Sequence, residues 1–323
     1  MYKYFMEPSN LRVRNSNMLH NPANKLRLPD ALLPLAGLIG QAESGIAETG
    51  IAGIRLFWTT RSMPPTPQVY DPGIVLILHG RKEGTFDGRP LRYDEDHYLT
   101  LTLPAPFVCG HIASDSEPLI GLFIDAVRED ILSLLEQMDI VDSGPPSAGA
   151  VAIQPAPVSA SMRLTITRLI AYLADPVSVK VLGPQLRREF LFHVLHGPRG
   201  SAFAAYARQN VAGGRLDILI DTVSQEFRNP INIDGLASKA GMSSSNFHRA
   251  FRRRTGQSPL QYIKRLRLLA ARQMIQFNGT RVGEAAHRVG YENVSQFSRE
   301  YRRYFGVAAS VAKSTKAKTH HVF

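Results

Sequence analysis

Hydrophobic and polar positions change their spacing between the two halves of the chain. Between about Leu26 and Met138, short apolar runs alternate with turn residues, which is typical of strands. The run Gly73–Leu78 predicts a buried strand, and Asp87-Gly88 is typical of the turn of a β-hairpin. Many short strands separated by turn signals indicate a sandwich or a small barrel.

The pattern becomes helical after a stretch rich in Pro, Ala, Gly and Ser, residues 142–157, which predicts a loop. From Ser159 onwards apolar side chains recur every three or four residues, which predicts helices at about 159–174, 178–195 and 202–210. We expect these helices to pack against the strand region or against a second subunit. Of the two, packing in the core is the more usual role of an amphipathic helix.

The last third of the chain contains two helix-turn-helix patterns. In the first, Asn232 and Ser243 are typical N-caps, and Gly241 lies at the turn between the two helices. In the second, Gly290 lies at the turn and Asn293 caps the following helix. Each unit therefore predicts a second helix of the kind that enters the major groove of DNA.

One long amphipathic helix joins the two units. It begins at Ser258-Pro259, a cap followed by proline at the first helical position, and continues to about Gln276. Eighteen residues at about 1.5 Å each give roughly 27 Å. Successive major grooves on one side of B-DNA are about 34 Å apart. A helix of this length predicts two DNA-recognition helices, the second helix of each unit, that are separated by nearly one turn of DNA. Bending of the DNA would make up the remaining difference in length.

The exposed start of each second helix supplies the candidate DNA contacts. The side chains predicted to meet base edges are Ser244, Ser245, His248, Arg249, Ser295, Gln296 and Arg299. The arginines predicted to meet phosphates are Arg252, Arg253, Arg254, Arg302 and Arg303. Since the two faces differ, one chain is expected to read two different half-sites, and its DNA site should be directional rather than palindromic.

The charge distribution supports a separate module that binds a polyanion. From Arg215 to the C-terminus there are 19 Lys and Arg against 7 Asp and Glu, a net charge of +12. The remainder has 38 − 19 = 19 basic and 27 − 7 = 20 acidic residues, a net charge of −1. A basic domain beside a neutral one is typical of a nucleic-acid-binding protein.

Cysteine content and hydropathy indicate the cellular compartment of the protein. The chain has one cysteine, Cys109, so it has neither an intrachain disulfide framework nor a cysteine-rich zinc site. Nowhere do about 18 apolar residues run together, and residues 1–24 have no apolar core of signal-peptide length. These observations predict a cytoplasmic protein without a membrane partner.

The tandem helix-turn-helix region resembles the AraC/XylS family of bacterial transcription regulators. The resemblance covers about 216–306, and it departs from the family at Val307, where a proline usually follows shortly after the Phe-Gly that ends the second unit. It is carried by Leu236-Ala237, Gly241-Met242-Ser243, Arg249, Phe251, Gly256-Gln257-Ser258-Pro259, Tyr262, Ala270, Gly290-Tyr291, Phe297-Ser298-Arg299 and Phe305-Gly306. It implies that each unit inserts one helix in the major groove and that Ser245, Arg249, Ser295, Gln296 and Arg299 contact bases. It also implies double-stranded promoter DNA as partner, with RNA polymerase a further candidate partner, and a homodimer.

The front half is similar to the N-terminal domain of one subgroup of that family. The similar segments are Leu33-Pro34-Leu35, Trp58-Thr59-Thr60-Arg61, Pro64–Tyr70, Asp71-Pro72-Gly73 and Leu103–Phe107. This similarity implies a cupin-like barrel that senses a small molecule or mediates dimerisation. Candidate effector-binding residues are Trp58, Tyr70, His79 and His111.

These inferences give a multidomain fold: an N-terminal cupin-like β-barrel, connecting helices and a C-terminal all-α tandem helix-turn-helix domain. The divisions are a flexible arm at 1–25, the sensor domain at 26–140, the loop at 141–158, connecting or dimerisation helices at 159–212, the DNA-binding domain at 213–306 and a basic tail at 307–323.

Two alternative functions compete with that of a regulator that is not an enzyme. A metal-dependent cupin enzyme needs clustered His and Glu, usually two histidines one residue apart on a strand. In this chain His79, His97 and His111 are isolated, so neither a metal nor another cofactor is expected. A thiol or electrophile sensor would use Cys109, although a buried small hydrophobe is the more common role of a lone cysteine.

Overall fold

The structure is a computed structural model that describes residues 27–40, 42–140, 151–208, 215–276 and 278–312. The expected arm at 1–25, the first ten residues of the expected loop at 141–158 and the tail from residue 313 lie outside the described residues. The strands are β1 (Ser44–Glu48), β2 (Ile54–Thr59), β3 (Met63–Gln68), β4 (Gly73–His79), β5 (Arg81–Phe86), β6 (Arg89–Asp94), β7 (His97–Leu101), β8 (Phe107–His111), β9 (Leu119–Asp125) and β10 (Ile153–Pro157). A 3-10 helix, Asp30–Leu35, precedes them. The α-helices are α1 (Arg128–Gln137), α2 (Ala160–Tyr172), α3 (Pro176–His196), α4 (Gly200–Arg208), α5 (Arg215–Glu226), α6 (Ile233–Lys239), α7 (Ser244–Thr255), α8 (Pro259–Gln276), α9 (Val282–Arg288), α10 (Val294–Phe305) and α11 (Ala309–Ala312).

The strands form one antiparallel sheet that curves into a half-barrel. Its order over the described residues is β1-β2-β9-β4-β7-β6-β5-β8-β3, and β10 pairs with β7. The expected hairpin turn joins β5 to β6, where Asp87 and Gly88 have φ values of 50° and 72°. Positive φ at both central residues matches the right-handed twist of the flanking strands. The predicted multidomain fold of β-domain, helices and helix-turn-helix domain is confirmed.

The two faces of the sheet pack against different partners because side chains alternate along each strand. Phe57, Val75 and Leu99 face the interior of the half-barrel. The opposite face, which includes Leu56 and Trp58, packs beneath the helices between the two domains. Those helices therefore complete the core of the β-domain.

The prediction of a loop at 141–158 is wrong for residues 153–157, because these residues form strand β10. Ile153 pairs with Leu101 and Pro157 with His97. Prolines lack the N–H that a central strand needs, but an edge strand tolerates them. Ile153 and Ala156 are buried, so the apolar positions of this short segment outweigh its proline content.

Helix α3 is longer than the proposed 178–195 helix and runs through its internal proline. Asp175 caps it, accepting hydrogen bonds from the backbone nitrogens of Val177 and Ser178, and Pro176 occupies the first turn. Phe190 packs edge-on against Tyr98 of the sheet, with ring centroids 6.5 Å apart. The contact confirms that this helix packs on the strand region.

Candidate nucleic-acid interface

The first helix-turn-helix unit consists of α6, a turn at Gly241 and α7. The Asn232 side chain accepts a hydrogen bond from the Gly235 nitrogen at 3.0 Å, so it caps α6 as expected. The Ser243 hydroxyl accepts one from the Asn246 nitrogen at 3.3 Å and caps α7. Such caps satisfy N–H groups that the first helical turn leaves without partners. They fix where α7 begins and therefore which side chains its first turn presents.

The first turns of α7 present most of the expected reading face to solvent. Ser244, Ser245 and Arg249 are exposed, and His248 is half-buried. The Ser244 hydroxyl donates to the Asp234 carboxylate at 2.9 Å. Arg249 donates to the side-chain oxygen of Asn246 at 2.5 Å, which aligns its guanidinium along the helix surface.

The arginines that follow on α7 divide into two groups. Arg252 and Arg253 are exposed, consistent with a place beside a DNA backbone. Arg254 is only 8% exposed and forms a salt bridge with Asp217 of α5. The expectation that Arg254 contacts phosphate is wrong, because its guanidinium points into the protein. Consecutive residues on a helix point about 100° apart, so the first and third of three arginines differ by about 200°, and here the third, Arg254, faces the core.

The second unit repeats the arrangement with α9, a turn at Gly290 and α10. Asn293 caps α10 by accepting from the Gln296 nitrogen at 2.9 Å, as the sequence predicted. Phe297 and Tyr301 are fully buried, as are Phe247 and Phe251 in the first unit. These aromatic pairs, four residues apart, orient each recognition helix against its own core.

The exposed face of α10 differs from that of α7. Ser295, Gln296 and Arg299 are exposed near its start. Arg302 and Arg303 are exposed at its far end. Gln296 donates to Glu300 at 3.2 Å, an intrahelical bond that an adenine edge would have to replace.

Helix α8 fixes the second unit through polar contacts. The Arg267 guanidinium donates to the backbone oxygens of Phe227 at 2.7 Å, Gly290 at 2.8 Å and Asn229 at 3.0 Å. One side chain therefore ties α8 to the turn of the second unit and to the end of α5. A guanidinium is suited to this task because its five donors have fixed directions.

Glu300 provides a second tie between α8 and α10. It accepts hydrogen bonds from Lys264 of α8 and from the Tyr291 hydroxyl, both at 2.8 Å. Burial opposes ionisation of this carboxyl, but the hydrogen bonds from Lys264, Tyr291 and Gln296 hold its pKa below the ordinary value. The ion pair is partly exposed, so its role is mainly to orient α10.

The first unit also contacts the β-domain. Gln257 donates to the Pro106 backbone oxygen at 2.9 Å, and the Tyr262 hydroxyl donates to the Pro104 oxygen. Gly256 ends α7 with φ of 74°, and a Cβ at this position would lie 3.0 Å from the Asp87 Cβ. Glycine is needed there both for its left-handed backbone and for the close approach of the two domains.

The expected effector-binding residues do not lie together. Trp58 lies on the sheet face covered by the 3-10 helix and α3, and its indole nitrogen donates to the Ala42 oxygen at 3.0 Å. His79 lies at the surface, where its Nδ1 is 3.2 Å from a carboxylate oxygen of Glu95 and its Nε2 is 3.2 Å from one of Glu117. Tyr70 packs in the interior core, and His111 is buried on the strand that pairs with β5. Two of the four, Tyr70 and His111, nevertheless adjoin the same residue, Lys82 of β5, to which Tyr70 is hydrogen-bonded and His111 is paired across the sheet.

The interior contains a polar cluster that the sequence analysis missed. Lys82 is fully buried and its amine donates to the Tyr70 hydroxyl at 2.9 Å. The Tyr93 hydroxyl lies 3.3 Å from the Cys109 sulfur. The available signal was the alternation of strand β5, which gives Lys82 the same inward direction as Phe86.

Within the described ranges, no group of three or more His, Cys, Asp or Glu residues has a geometry that could hold a metal ion. None of the helices in the part of the chain that the structure describes is long and apolar enough to cross a membrane.

Comparison with known proteins identifies both halves. Residues 50–202 match the family model described as the AraC-type transcriptional regulator N-terminus, and residues 236–314 match a helix-turn-helix domain model. The chain belongs to the AraC family of transcriptional regulators, with an AraC-type N-terminal domain and a helix-turn-helix DNA-binding domain. The N-terminal match is to a model of transcriptional regulators.

Individual relatives agree with this assignment. The HTH-type transcriptional activator RhaS of Escherichia coli O1:K1 / APEC is 28% identical over 148 residues, which cover 46% of this chain and 53% of that protein. The chain thus spans about half the length of the curated relatives it matches. ToxT of Vibrio cholerae, solved with an unsaturated fatty acid bound, has a TM-score of 0.51 at 10% identity, covering 83% of this chain and 97% of ToxT. A second ToxT structure has a TM-score of 0.52 at 10% identity, with 80% of this chain covered and 97% of ToxT. At this identity the likeness shows the fold.

Proposed function

We propose that this protein is a sequence-specific regulator of transcription that reads two different half-sites of double-stranded DNA with α7 and α10. The observation that carries the proposal is the pair of capped helices, each with a buried aromatic pair on one side and an exposed polar face on the other. The first face presents Ser245 and Arg249, and the second presents Gln296 and Arg299. Arginine pairs with guanine and glutamine with adenine, each contributing about 1–3 kcal/mol of discrimination.

Different reading faces on one chain support a directional DNA site. Arg267 of α8 binds the Gly290 oxygen at the turn of the second unit, and Lys264 of α8 binds Glu300 of α10, so a stiff element connects the two recognition helices. Its 18 residues correspond to roughly 27 Å, less than the roughly 34 Å between successive major grooves. We therefore expect the site to be bent when both helices are engaged.

The remaining exposed basic residues fit contacts to the DNA backbone. Arg252 and Arg253 follow the reading face of α7, and Arg302 and Arg303 follow that of α10. Such contacts add affinity that does not depend on base sequence and that falls as salt is raised.

We further propose that the β-domain, assigned to 26–140 with the added strand at 153–157, receives a small-molecule effector. A relative in fold was solved with a fatty acid bound, which makes a small apolar effector a reasonable class to test. The helices at 159–212 would then transmit the signal or form a homodimer, and 213–306 would bind DNA. A cytoplasmic location and contact with RNA polymerase follow from the same function.

Selection of bound sequences from a random duplex pool tests the function. Wild-type protein should enrich a bipartite motif whose two halves differ, and the Arg249→Ala variant should lose preference in one half only. Arg253→Ala is the matched control, since it removes an exposed arginine of the same helix outside the reading face. Enrichment of no motif by wild-type protein, or the same motif from wild-type and Arg249→Ala, would contradict the proposal.

A further inference from the structure

The most unusual side chain in the β-domain is a lysine inside its core. Lys82 has no exposed surface, although its neighbours along β5, Arg81 and Glu83, point to solvent. Moving an ammonium from water into an apolar interior is costly unless an anion accompanies it. Its position therefore needs an explanation.

The surroundings of this amine include phenols, aromatic rings and His111, a buried residue directly across from Lys82 in the β5–β8 pairing. Its nitrogen donates to Tyr70 at 2.9 Å and lies 5.2 Å and 5.4 Å from the ring centroids of Phe57 and Tyr70. Within the described part of the chain no carboxylate pairs with it. Burial lowers the pKa of the Lys82 amine, opposed in part by Cys109. Both observations favour a neutral amine, which needs no counter-charge.

The neighbouring groups suit proton transfer at that nitrogen. Tyr70 accepts from Lys82 and donates to the Gln68 side-chain oxygen at 2.6 Å. Tyr93, directly across from Lys82 in the β5–β6 pairing, places its hydroxyl 3.3 Å from the Cys109 sulfur. Burial raises the pKa of both phenols, so they stay protonated and available as acids near neutral pH.

We propose that the interior of the β-domain is a site in which the amine of Lys82 captures a small aldehyde or ketone as an imine. The proposal rests on the proposed function, of which it would be the effector site. A desolvated lysine is a nucleophile toward carbonyl compounds. A carboxylate effector is the less favoured class, because it would itself have to be desolvated and a neutral amine would give it no counter-charge.

The reaction balances without a further reagent. The nitrogen lone pair attacks the carbonyl carbon, the nitrogen then loses one of its two protons, and the carbonyl oxygen takes up a proton to give a carbinolamine. The second N–H proton is then lost and the hydroxyl leaves with a proton as water, so that a C=N bond replaces the C=O bond. Tyr70, 2.9 Å from the nitrogen, is placed to give and take these protons.

Reductive trapping tests the proposal on the whole chain. Purified protein is incubated at neutral pH with propanal and sodium cyanoborohydride, and alkylated lysines are mapped by peptide mass spectrometry. Lys180 and Lys239 are exposed and serve as internal controls. Only an unprotonated amine attacks a carbonyl, and burial favours that form at Lys82. We expect Lys82 to be alkylated at least about tenfold faster than these controls.

Two variants and one competitor sharpen the result. Lys82→Met should abolish alkylation of its peptide, and Tyr70→Phe should slow alkylation at Lys82 without changing it at Lys180. Alkylation of Lys82 no faster than of Lys180 would overturn the proposal, and that outcome is decided on the wild-type protein even if a variant fails to fold. The proposal would also be overturned if butanoate raised the Tm of wild-type protein, but not of Lys82→Met, while no trapping occurred. Binding of the selected duplex by unmodified protein is measured separately. The result tests the proposed DNA-binding function independently of imine formation at Lys82.

Discussion

Arg254 and Asp217 form a two-point ion pair inside the protein. The Arg254 Nε lies 2.9 Å from one carboxylate oxygen of Asp217, and Nη2 lies 3.1 Å from the other. The same Nη2 donates to the Thr102 hydroxyl of the β-domain at 3.2 Å. The end of the first recognition helix is thereby joined both to α5 and to the sheet.

Removing one partner of this pair should destabilise the protein strongly. Arg254→Met leaves the Asp217 carboxylate buried, and the loss of one partner of a buried pair typically costs about 3–5 kcal/mol. Arg253→Met is the matched control, since Arg253 is exposed and should change the free energy of unfolding by less than about 0.5 kcal/mol. Denaturant titration of both variants measures the difference. Equal midpoints would contradict a buried ion pair between Arg254 and Asp217.

Asp71 should make stability depend on pH. Burial raises its pKa to about 6 from the ordinary 3.8; Arg55 opposes this shift, and Asp125 and Asp221 add to it. Because the folded pKa is the higher one, the folded state binds the proton more tightly. The stabilisation is complete below about pH 3.8 and is lost as pH rises through about 6.

The matched variant for this effect is Asp71→Asn, which does not titrate. We expect the free energy of unfolding of wild type relative to Asp71→Asn to fall as pH rises from about 4 to about 6 and to be constant above that. Denaturant titrations across this range measure it. A difference that does not change with pH would show that the pKa of Asp71 is not raised in the folded protein.

Glu300 should orient the second recognition helix more than it stabilises the fold. In Glu300→Gln the charge that holds Lys264 and Tyr291 is removed, while the side chain keeps its length. We expect weaker discrimination in the half-site read by α10 and a change in stability of about 1 kcal/mol or less. Affinity for single-base variants of the selected duplex checks this, and Glu292→Gln, at an exposed position, is the control.

The exposed arginines should set the salt dependence of DNA binding. Arg253→Ala and Arg302→Ala should each reduce the slope of log K against log salt by about 1, because each phosphate contact releases about one counterion. Arg254, which is buried, should not contribute in this way. Slopes that stay at the wild-type value in both variants would remove these arginines from the interface.

The sequence could predict elements whose cause is local. Capping residues predict where helices begin, and Asp87-Gly88 predicts a hairpin, because each acts within a few residues. The caps are Asn232, Ser243 and Asn293. Strand β10 could not be predicted, because pairing with β7 outweighs its prolines. The burial of Arg254 was likewise hidden, because its partners Asp217 and Thr102 are 37 and 152 residues away along the chain.

The candidate sites also differ in whether their cause is local or depends on tertiary contacts. The reading faces of α7 and α10 come from helical spacing around aromatic pairs such as Phe247 and Phe251, so the sequence contains them. The interior cluster around Lys82 depends on which strands close the half-barrel. A lysine next to an arginine and a glutamate is typical of a solvated strand, and only the tertiary pairing shows that it faces inward.

Binding of reading-head variants to half-site variants tests the central claim most directly. Affinities are measured for wild type, Arg249→Ala and Arg299→Ala on the selected duplex and on duplexes altered in one half or the other. Arg249→Ala should lose about 1–3 kcal/mol of discrimination in one half only, and Arg299→Ala should lose it in the other half only. If both variants kept wild-type discrimination in both halves, or if both lost it in the same half, then α7 and α10 would not be the two reading heads.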